Sequence, residues 1–306
     1  KKKFSGNGIE TFNNWTSIFY ELFGSIKISD IKLWLKSIGL KKIIQISKIK
    51  AGANSSVFRI TIKKNEYKIL KFYPDLLIDS RERLKTEYKA FNFLKKNLFS
   101  DIPKVIKKSD DLNIGIYEWI KGKKIDKYNL QDLKFLIKFV LKLKNLSKKT
   151  HKNSFNNASE ACLSIKELIS QIDKRIKNLE SISPQNKSLS LFLNSSLKPF
   201  WNVIKKRSIK KIIINNLEKD IAKKYQILSP SDISLQNMIK YKKIIKYLDF
   251  EYFGWDDPVK LVSDFIWHPS VNLNTSLVLK WYTEMTEMFS DDKDFCKRFS
   301  ISHSLY

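Results

Sequence analysis

Residues 229–237 read Ser229-Pro230-Ser231-Asp232-Ile233-Ser234-Leu235-Gln236-Asn237, and a second acidic centre, Asp249-Phe250-Glu251, follows after two short apolar runs. An acid, four residues, an asparagine, a hairpin and another acid set three oxygen-bearing side chains close together in the chain. One carboxylate can align a hydroxyl, while a carboxamide oxygen and a second carboxylate are hard ligands that suit Mg²⁺. Asp-x4-Asn alone arises by chance in a chain this polar. Its weight comes from what lies upstream, and in which order.

Working upstream, the aromatic-rich segment Trp15–Phe23 can be helical, and Ser29-Asp30 can cap a short helix through Ile38 that stops at Gly39. Residues 150–225 read as largely helical with a break at Ser183-Pro184. Three strands are expected at Ile43–Ile49, Val57–Ile62 and Tyr67–Phe72. The first turn carries Gly52, Asn54, Ser55 and Ser56, whose N–H groups and hydroxyls can meet phosphates, although a plain hairpin explains one glycine as well. In the third strand, alternation puts Lys71 and Ile69 on one face, the cation toward phosphates and Ile69 toward a base, with Lys68 on the other face. Leu84, Tyr88, Phe91 and Leu94 recur at helical spacing and predict a helix from about Ser80 to Asn97. Glu87 on that helix can pair with Lys71, or be an ordinary exposed acid. A strand over Ile114–Ile120 ends in Glu118-Trp119-Ile120 before Gly122, where free backbone groups can meet a base edge. Further on, the strand Ile244–Leu248 runs directly into Asp249, and a carboxylate there needs a cation or hydrogen bonds. Asp264 is expected to brace the 229–237 loop, and His268 reads as a packed or capping residue rather than a ligand.

Composition sets limits. At 306 residues with 42% hydrophobic and 13% aromatic content, the chain can build one large domain or two lobes with a real core. No run of about 18 uncharged apolar residues is present, so no membrane span is expected. No signal peptide is read at the start, and Lys1 in place of an initiating Met fits a chain trimmed or cut from a longer one. Two cysteines, Cys162 and Cys296, predict a reducing compartment, and three scattered histidines make no zinc site. The formal charge is +27, yet only six of the 58 basic residues are Arg, so 52 are Lys, spread along the whole chain. That pattern reads as AT-rich codon bias rather than nucleic-acid binding, which favours Arg.

The Gly52 loop, Leu70-Lys71, Glu87, Glu118-x-x-x-Gly122, Asp232-x4-Asn237 and Asp249-Phe250-Glu251 together resemble the aminoglycoside phosphotransferase and choline kinase-like family. The resemblance spans about 42–270 and is strongest over 228–268. It implies an α+β, two-lobed protein-kinase-like fold: an N-terminal helical extension (1–41), a small antiparallel-sheet lobe with one main helix (42–119), and a larger helical lobe (120–306) with a helical insertion at 150–225. It implies transfer of the γ-phosphoryl group of ATP or GTP to a small-molecule hydroxyl in the cytoplasm of a bacterium. By the same resemblance Asp232 is the catalytic aspartate, Asn237 and Asp249 bind Mg²⁺, Lys71 holds phosphates, and Glu87 is its partner. Gly52, Asn54, Ser55, Ser56, Ile69, Glu118, Trp119 and Ile120 would line the nucleotide. The family's usual His two residues before the aspartate is replaced by Pro230. The expected acceptor is a sugar or surface-polysaccharide precursor, with a cationic aminoglycoside or an impaired, nucleotide-binding pseudokinase as alternatives.

Overall fold

The computed structural model describes residues 28–40, 42–49, 55–77 and 79–306. The helix expected within Trp15–Phe23 and the loop residues Gly52 and Asn54 lie outside them. The chain divides into two compact units, one running to Lys124 and including Met238–Tyr252, the other made of Ile125–Asn237 and Phe253–Tyr306. The hairpin at 238–252, expected within the C-terminal lobe, thus groups with the first unit.

In the first unit, helix α1 (Ile28–Ser37) begins at Ile28, so Asp30 lies in its first turn rather than capping it from outside. Its end is built as expected at Gly39, whose φ of 87° suits a residue without Cβ. Leu40 N donates to Leu35 O at 2.9 Å and Gly39 N to Lys36 O at 3.0 Å, the paired bonds that close a helix through a left-handed residue. Strands β1 (Gln45–Ile49), β2 (Ser56–Lys63), β3 (Glu66–Phe72), β4 (Val105–Ser109) and β5 (Ile114–Glu118) form one sheet in the order β1-β2-β3-β5-β4. Every pairing is antiparallel. Helix α2 (Arg83–Lys96) connects β3 to β4.

The register sorts the side chains. Phe58 faces Leu70, Leu70 faces Ile116, and Phe72 faces Ile114, so these residues share one face. Ile31 and Leu35 of α1 pack on that face in a continuous core. Val57, Lys71 and Gly115 oppose one another on the other face, as do Arg59, Ile69 and Tyr117. The strand β6 (Lys123–Lys124) pairs with β8 (Met238–Tyr241), which pairs with β9 (Ile244–Tyr247) across the Lys242-Lys243 turn. Tyr247 N donates to Asp101 O at 2.7 Å, and the Phe250 ring lies 5.0 Å from that of Phe91 on α2. These contacts tie the hairpin into the first unit.

The second unit is mainly helical. Helix α3 (Leu130–Lys149) starts at a capping box in which Asn129 and Asp132 bond each other's backbone N–H. Its Ser147 hydroxyl donates to Leu143 O and accepts from Leu228 N at 2.8 Å, which fixes strand β7 (Ile227–Ser229) along it. Strand β10 (Gly254–Asp256) pairs antiparallel with β7. Residues 150–225, expected to be largely helical, contain α4 (Ile165–Ile182), α5 (Lys187–Phe192), a π-turn at Leu193–Leu197 and α6 (Lys198–Ile214). The break expected at Ser183-Pro184 is a 3-10 turn, Ser183–Gln185. Ile165, Ile169, Trp201 and Ile212 join these helices to Ile301 of α9 (Phe295–Ser302) in one apolar cluster. Between them in the chain come α7 (Pro258–Trp267) and α8 (Thr275–Met288), locked where buried Trp281 sets its ring 4.6 Å from Phe265 and donates to Val262 O. No helix among the described residues is long and apolar enough to cross a membrane.

Gly254 is required by close approach. A Cβ there would stand 2.4 Å from Ala158 N and 2.5 Å from Asn156 O, both backbone atoms that cannot swing aside. Gly254→Ala is therefore expected to destabilise the protein by about 1–3 kcal/mol through overpacking. Urea unfolding of the variant checks this, and an unchanged midpoint would contradict the packing described.

Candidate functional site

Within the first unit the sheet face opposite α1 carries one buried cation. Lys71 is 5% exposed, and its ammonium stands 2.7 Å from Glu87 Oε2, 2.8 Å from Asp249 Oδ1 and 3.1 Å from Glu251 Oε2. The ammonium hydrogen-bonds Glu87 and Asp249, while Glu251 Oε2 is an ion-pair neighbour that accepts no hydrogen bond among the described residues. The partners come from two features: Glu87 from the inner face of α2, Asp249 and Glu251 from the segment after β9. Asp249 has φ 63°, a left-handed conformation that Asp tolerates better than most residues but that still costs energy. Phe250 N donates to Glu87 Oε1 at 3.1 Å, so α2 and the acidic segment are stitched by backbone as well as charge.

Residues that the sequence reading did not single out complete the cluster. Tyr73 donates its hydroxyl to Glu87 Oε2, and its oxygen lies 2.6 Å from that of Tyr117. Gly115, opposite Lys71, leaves the space that Tyr117 fills, since a Cβ there would lie 2.6 Å from the ring. Arg83 bonds Glu251, the hydroxyl of Tyr252 at 2.8 Å and Asp79. One signal was available: Arg83 and Glu87 are one turn apart on α2, and Arg is scarce in this chain. The tyrosines carried none.

Burial and charge set the protonation of the group. Burial lowers the affinity of Lys71 for its proton, but Asp249, Glu87 and Glu251 outweigh that and raise its pKa well above the ordinary lysine value. Burial, reinforced by Asp249 and Glu251 and opposed by Lys71, lifts Glu87 to about 6. Tyr73 is held protonated by burial and by the Glu87 charge. The carboxylates of Glu87, Asp249 and Glu251 each bring an oxygen within 4.8 Å of the others, a spacing that suits a metal ion as well as an ammonium.

Ile69 shares the Lys71 face, flanked by Arg59 on β2 and Tyr117 on β5. Ser56 is buried opposite Phe72 on the α1 face, away from Lys71. Ser55 is half-buried just before β2. The Glu118 carboxylate accepts from Lys104 N at 3.0 Å, at the edge of β5. Trp119 packs 5.9 Å from Tyr67, with Arg59 over both rings, and Ile120 is half-buried.

The second unit holds the other acidic loop. Ser231 sits at φ 67° directly before Asp232, with its N–H on Ser229 Oγ and its hydroxyl on Ser159 O. Asn237 closes the loop: its Nδ2 donates to Asp232 Oδ2 at 2.9 Å. No hydrogen bond to the amide oxygen of Asn237 is seen among the described residues. Asp264, expected to brace this loop, instead bonds Lys260 on its own helix, though the Asp232 charge contributes to raising its pKa after burial. His268 accepts from Ser270 in a turn at the end of α7, as a capping residue does. Its Nε2 also lies 3.8 Å from Asp232 Oδ1, which the sequence did not show. Asp257 caps α7 and pairs with Arg298 at 2.8 Å. Its neighbour Asp256 is 1% exposed, and burial above all pushes it up to about 7.

No protein-family model and no curated protein matches this sequence. Solved structures do match in fold. The ADP-bound aminoglycoside phosphotransferase APH(2'')-Ib shares 20% identity over 92% of this chain and 91% of its own, with a TM-score of 0.59. A spectinomycin phosphotransferase, APH(9)-Ia, in complex with ADP and its antibiotic, shares 12% over 92% and 86%, with a TM-score of 0.57. A choline kinase from Cryptosporidium parvum shares 14% over 95% and 86%, also with a TM-score of 0.57. The chain therefore has the protein-kinase-like fold of aminoglycoside phosphotransferases and choline kinases. Identities this low establish the fold alone.

Two outcomes follow from the electrostatics. Lys71→Met would leave buried Glu87 and Glu251 and half-buried Asp249 without their shared cation, and should cost about 3–5 kcal/mol in denaturant unfolding; wild-type stability would show that the charges are not mutually dependent. Asp256 is the second case. Its pKa is 3.8 in an open chain and about 7 in the fold, so between those values the unfolded chain gives up its proton first. Stability is then greatest below that window and falls as pH rises through it. Asp256→Asn keeps an oxygen for the Cys162 and Asp257 N–H groups and should flatten the dependence. Unfolding series across the window for both proteins decide it, and parallel curves would contradict the assignment.

Proposed function

We propose that this chain is a Mg²⁺-dependent phosphotransferase that moves the γ-phosphoryl group of ATP or GTP to a hydroxyl of a small molecule. The observation that carries the reading is the buried Lys71–Glu87 pair with Asp249 beside it. A lysine held by a helix glutamate is how kinases present an ammonium to the α- and β-phosphates, and an aspartate after a short strand is how they present a metal ligand. Similarity in fold to structures that bind ADP supports the same reading.

The roles follow from chemistry. Lys71 steadies phosphates, Glu87 fixes its ammonium, and Ile69 with Trp119 and Ile120 accompanies the base. Asp232 aligns the acceptor hydroxyl, and the Asn237 bond to one of its oxygens holds it in place. Asn237 and Asp249 are the Mg²⁺ ligands, and the donor set fits: an amide oxygen with no hydrogen bond among the described residues, and a carboxylate. Bound Mg²⁺ would neutralise phosphate charge. Positioning and charge are most of what the protein must supply in such a transfer. A supply of nucleoside triphosphate agrees with a cytoplasmic setting.

The acceptor reading rests on how acids are paired. A cationic aminoglycoside needs unpaired carboxylates, and the second unit's acids largely have cations already. Asp257 and Asp292 share Arg298, Asp291 takes Lys144 and Lys148, Glu284 takes Lys280, and Asp294 takes Lys297. A sugar or surface-polysaccharide precursor asks less of such a surface. One feature favours a second reading, a nucleotide-binding module with impaired turnover: Lys71 is already hydrogen-bonded to Glu87 and Asp249 and ion-paired with Glu251.

Thermal shift with ATP and Mg²⁺, followed by a metabolite-library phosphorylation screen read by mass spectrometry, separates the readings. Asp232→Ala should lower turnover about 10²–10⁴-fold while nucleotide affinity stays within a few-fold. Asp249→Ala should lose the Mg²⁺-dependent part of nucleotide binding. Binding without transfer to any acceptor would favour the second reading, and wild-type turnover by Asp232→Ala would refute the roles assigned.

A further inference from the structure

We infer that His268 is a positioning residue for Asp232, donating its Nε2–H to the inner carboxylate oxygen and turning the outer one toward the acceptor hydroxyl. The inference rests on the catalytic role proposed above for Asp232.

Three observations within the second unit lead there. The two oxygens of Asp232 are unlike. Oδ2 accepts from Asn237 Nδ2 at 2.9 Å, whereas Oδ1 is buried and has no hydrogen-bond partner among the described residues. A buried, unpaired carboxylate oxygen is costly unless a donor can reach it. His268 Nε2 lies 3.8 Å from it.

The tautomer of His268 follows from its other nitrogen. Ser270 N, which can only donate, points at Nδ1 from 3.1 Å, and the Ser270 hydroxyl lies 2.8 Å away. Nδ1 is therefore an acceptor and bears no hydrogen. In the neutral ring the proton then sits on Nε2, the nitrogen that faces Asp232. The turn at Ser270 thus presets a donor toward the unpaired oxygen. At 3.8 Å the contact is longer than a hydrogen bond, and a small rotation of either side chain closes it, as such contacts often tighten only when substrate is bound.

The division of labour is then clear. The buried oxygen cannot meet a substrate hydroxyl directly, while the Asp232 side chain as a whole is 37% exposed. The oxygen that aligns the hydroxyl is Oδ2, and His268 with Asn237 fixes the carboxylate plane from two sides. His268 touches neither phosphate nor acceptor in this scheme. It acts through Asp232.

The test has two arms. The chain has three histidines, so long-range ¹H–¹⁵N spectra of ¹⁵N-labelled protein in mildly alkaline buffer resolve each ring. The expected result is a His268 ring protonated at Nε2, with its signals moved by Asp232→Ala and those of His151 unmoved. A ring protonated at Nδ1, or one indifferent to Asp232→Ala, overturns the inference whether or not the protein transfers phosphate. The kinetic arm compares His268→Ala with His268→Gln, whose amide keeps a donor. His268→Ala should lower kcat about tenfold to a hundredfold with the nucleotide KM within twofold, and His268→Gln should restore most of it. Full kcat in His268→Ala overturns the inference while leaving the phosphotransferase reading intact. Absence of transfer by the wild type would instead count against that reading, and the spectra would still decide the His268 contact.

Discussion

One ammonium inside a ring of carboxylates organises the first unit. Lys71 is buried because β3 carries it between apolar neighbours, and a buried charge is tolerable only with partners. Glu87, Asp249 and Glu251 supply them from two separate stretches of chain. The arrangement explains features that look unrelated: the left-handed backbone at Asp249, the absence of a side chain at Gly115, and the inward-facing Tyr73 and Tyr117 hydroxyls. Arg83 extends the network by binding the far oxygen of Glu251. Acid is in excess in this cluster, with Glu87, Asp249 and Glu251 against Lys71 and Arg83.

The second unit solves a different problem. Its acidic loop needs rigidity without the help of buried cations, and obtains it from local hydrogen bonds. Ser231 is pinned at both ends, Asn237 ties back to Asp232, and the turn at Ser270 orients His268. Elsewhere in this unit acids are matched with lysines and arginines. The large positive charge of the chain is thus not concentrated in one site but is what remains after that pairing, spread over solvated lysines.

Much of this was legible in the residues. Alternation at Ile69–Lys71, the helical period at Leu84–Leu94 and the stop at Gly39 each state a local rule that tertiary packing had no reason to override. The strand running into an aspartate was also readable, because a carboxylate at that place demands a partner. Less was legible where a feature depends on distant pieces. Tyr73 and Tyr117 look like ordinary strand aromatics, and Ser56 looks like a loop hydroxyl until the register with Phe72 turns it to the α1 face. Asp264 looked like a brace for the loop, yet Lys260 one turn before it on α7 is the nearer cation.

By itself, then, the order of residues determined the kinds of element, the residue types available for a phosphate and metal chemistry, and the general fold, since period, turn chemistry and the cost of buried charge act over short distances. Only the tertiary structure decided which partners meet. That Lys71 would find Glu251 as well as Glu87, and that a histidine 36 residues beyond Asp232 would face its unpaired oxygen, depend on chain crossings that no local period encodes. Long-range pairing is settled by register and packing, and those exist only once the chain has folded.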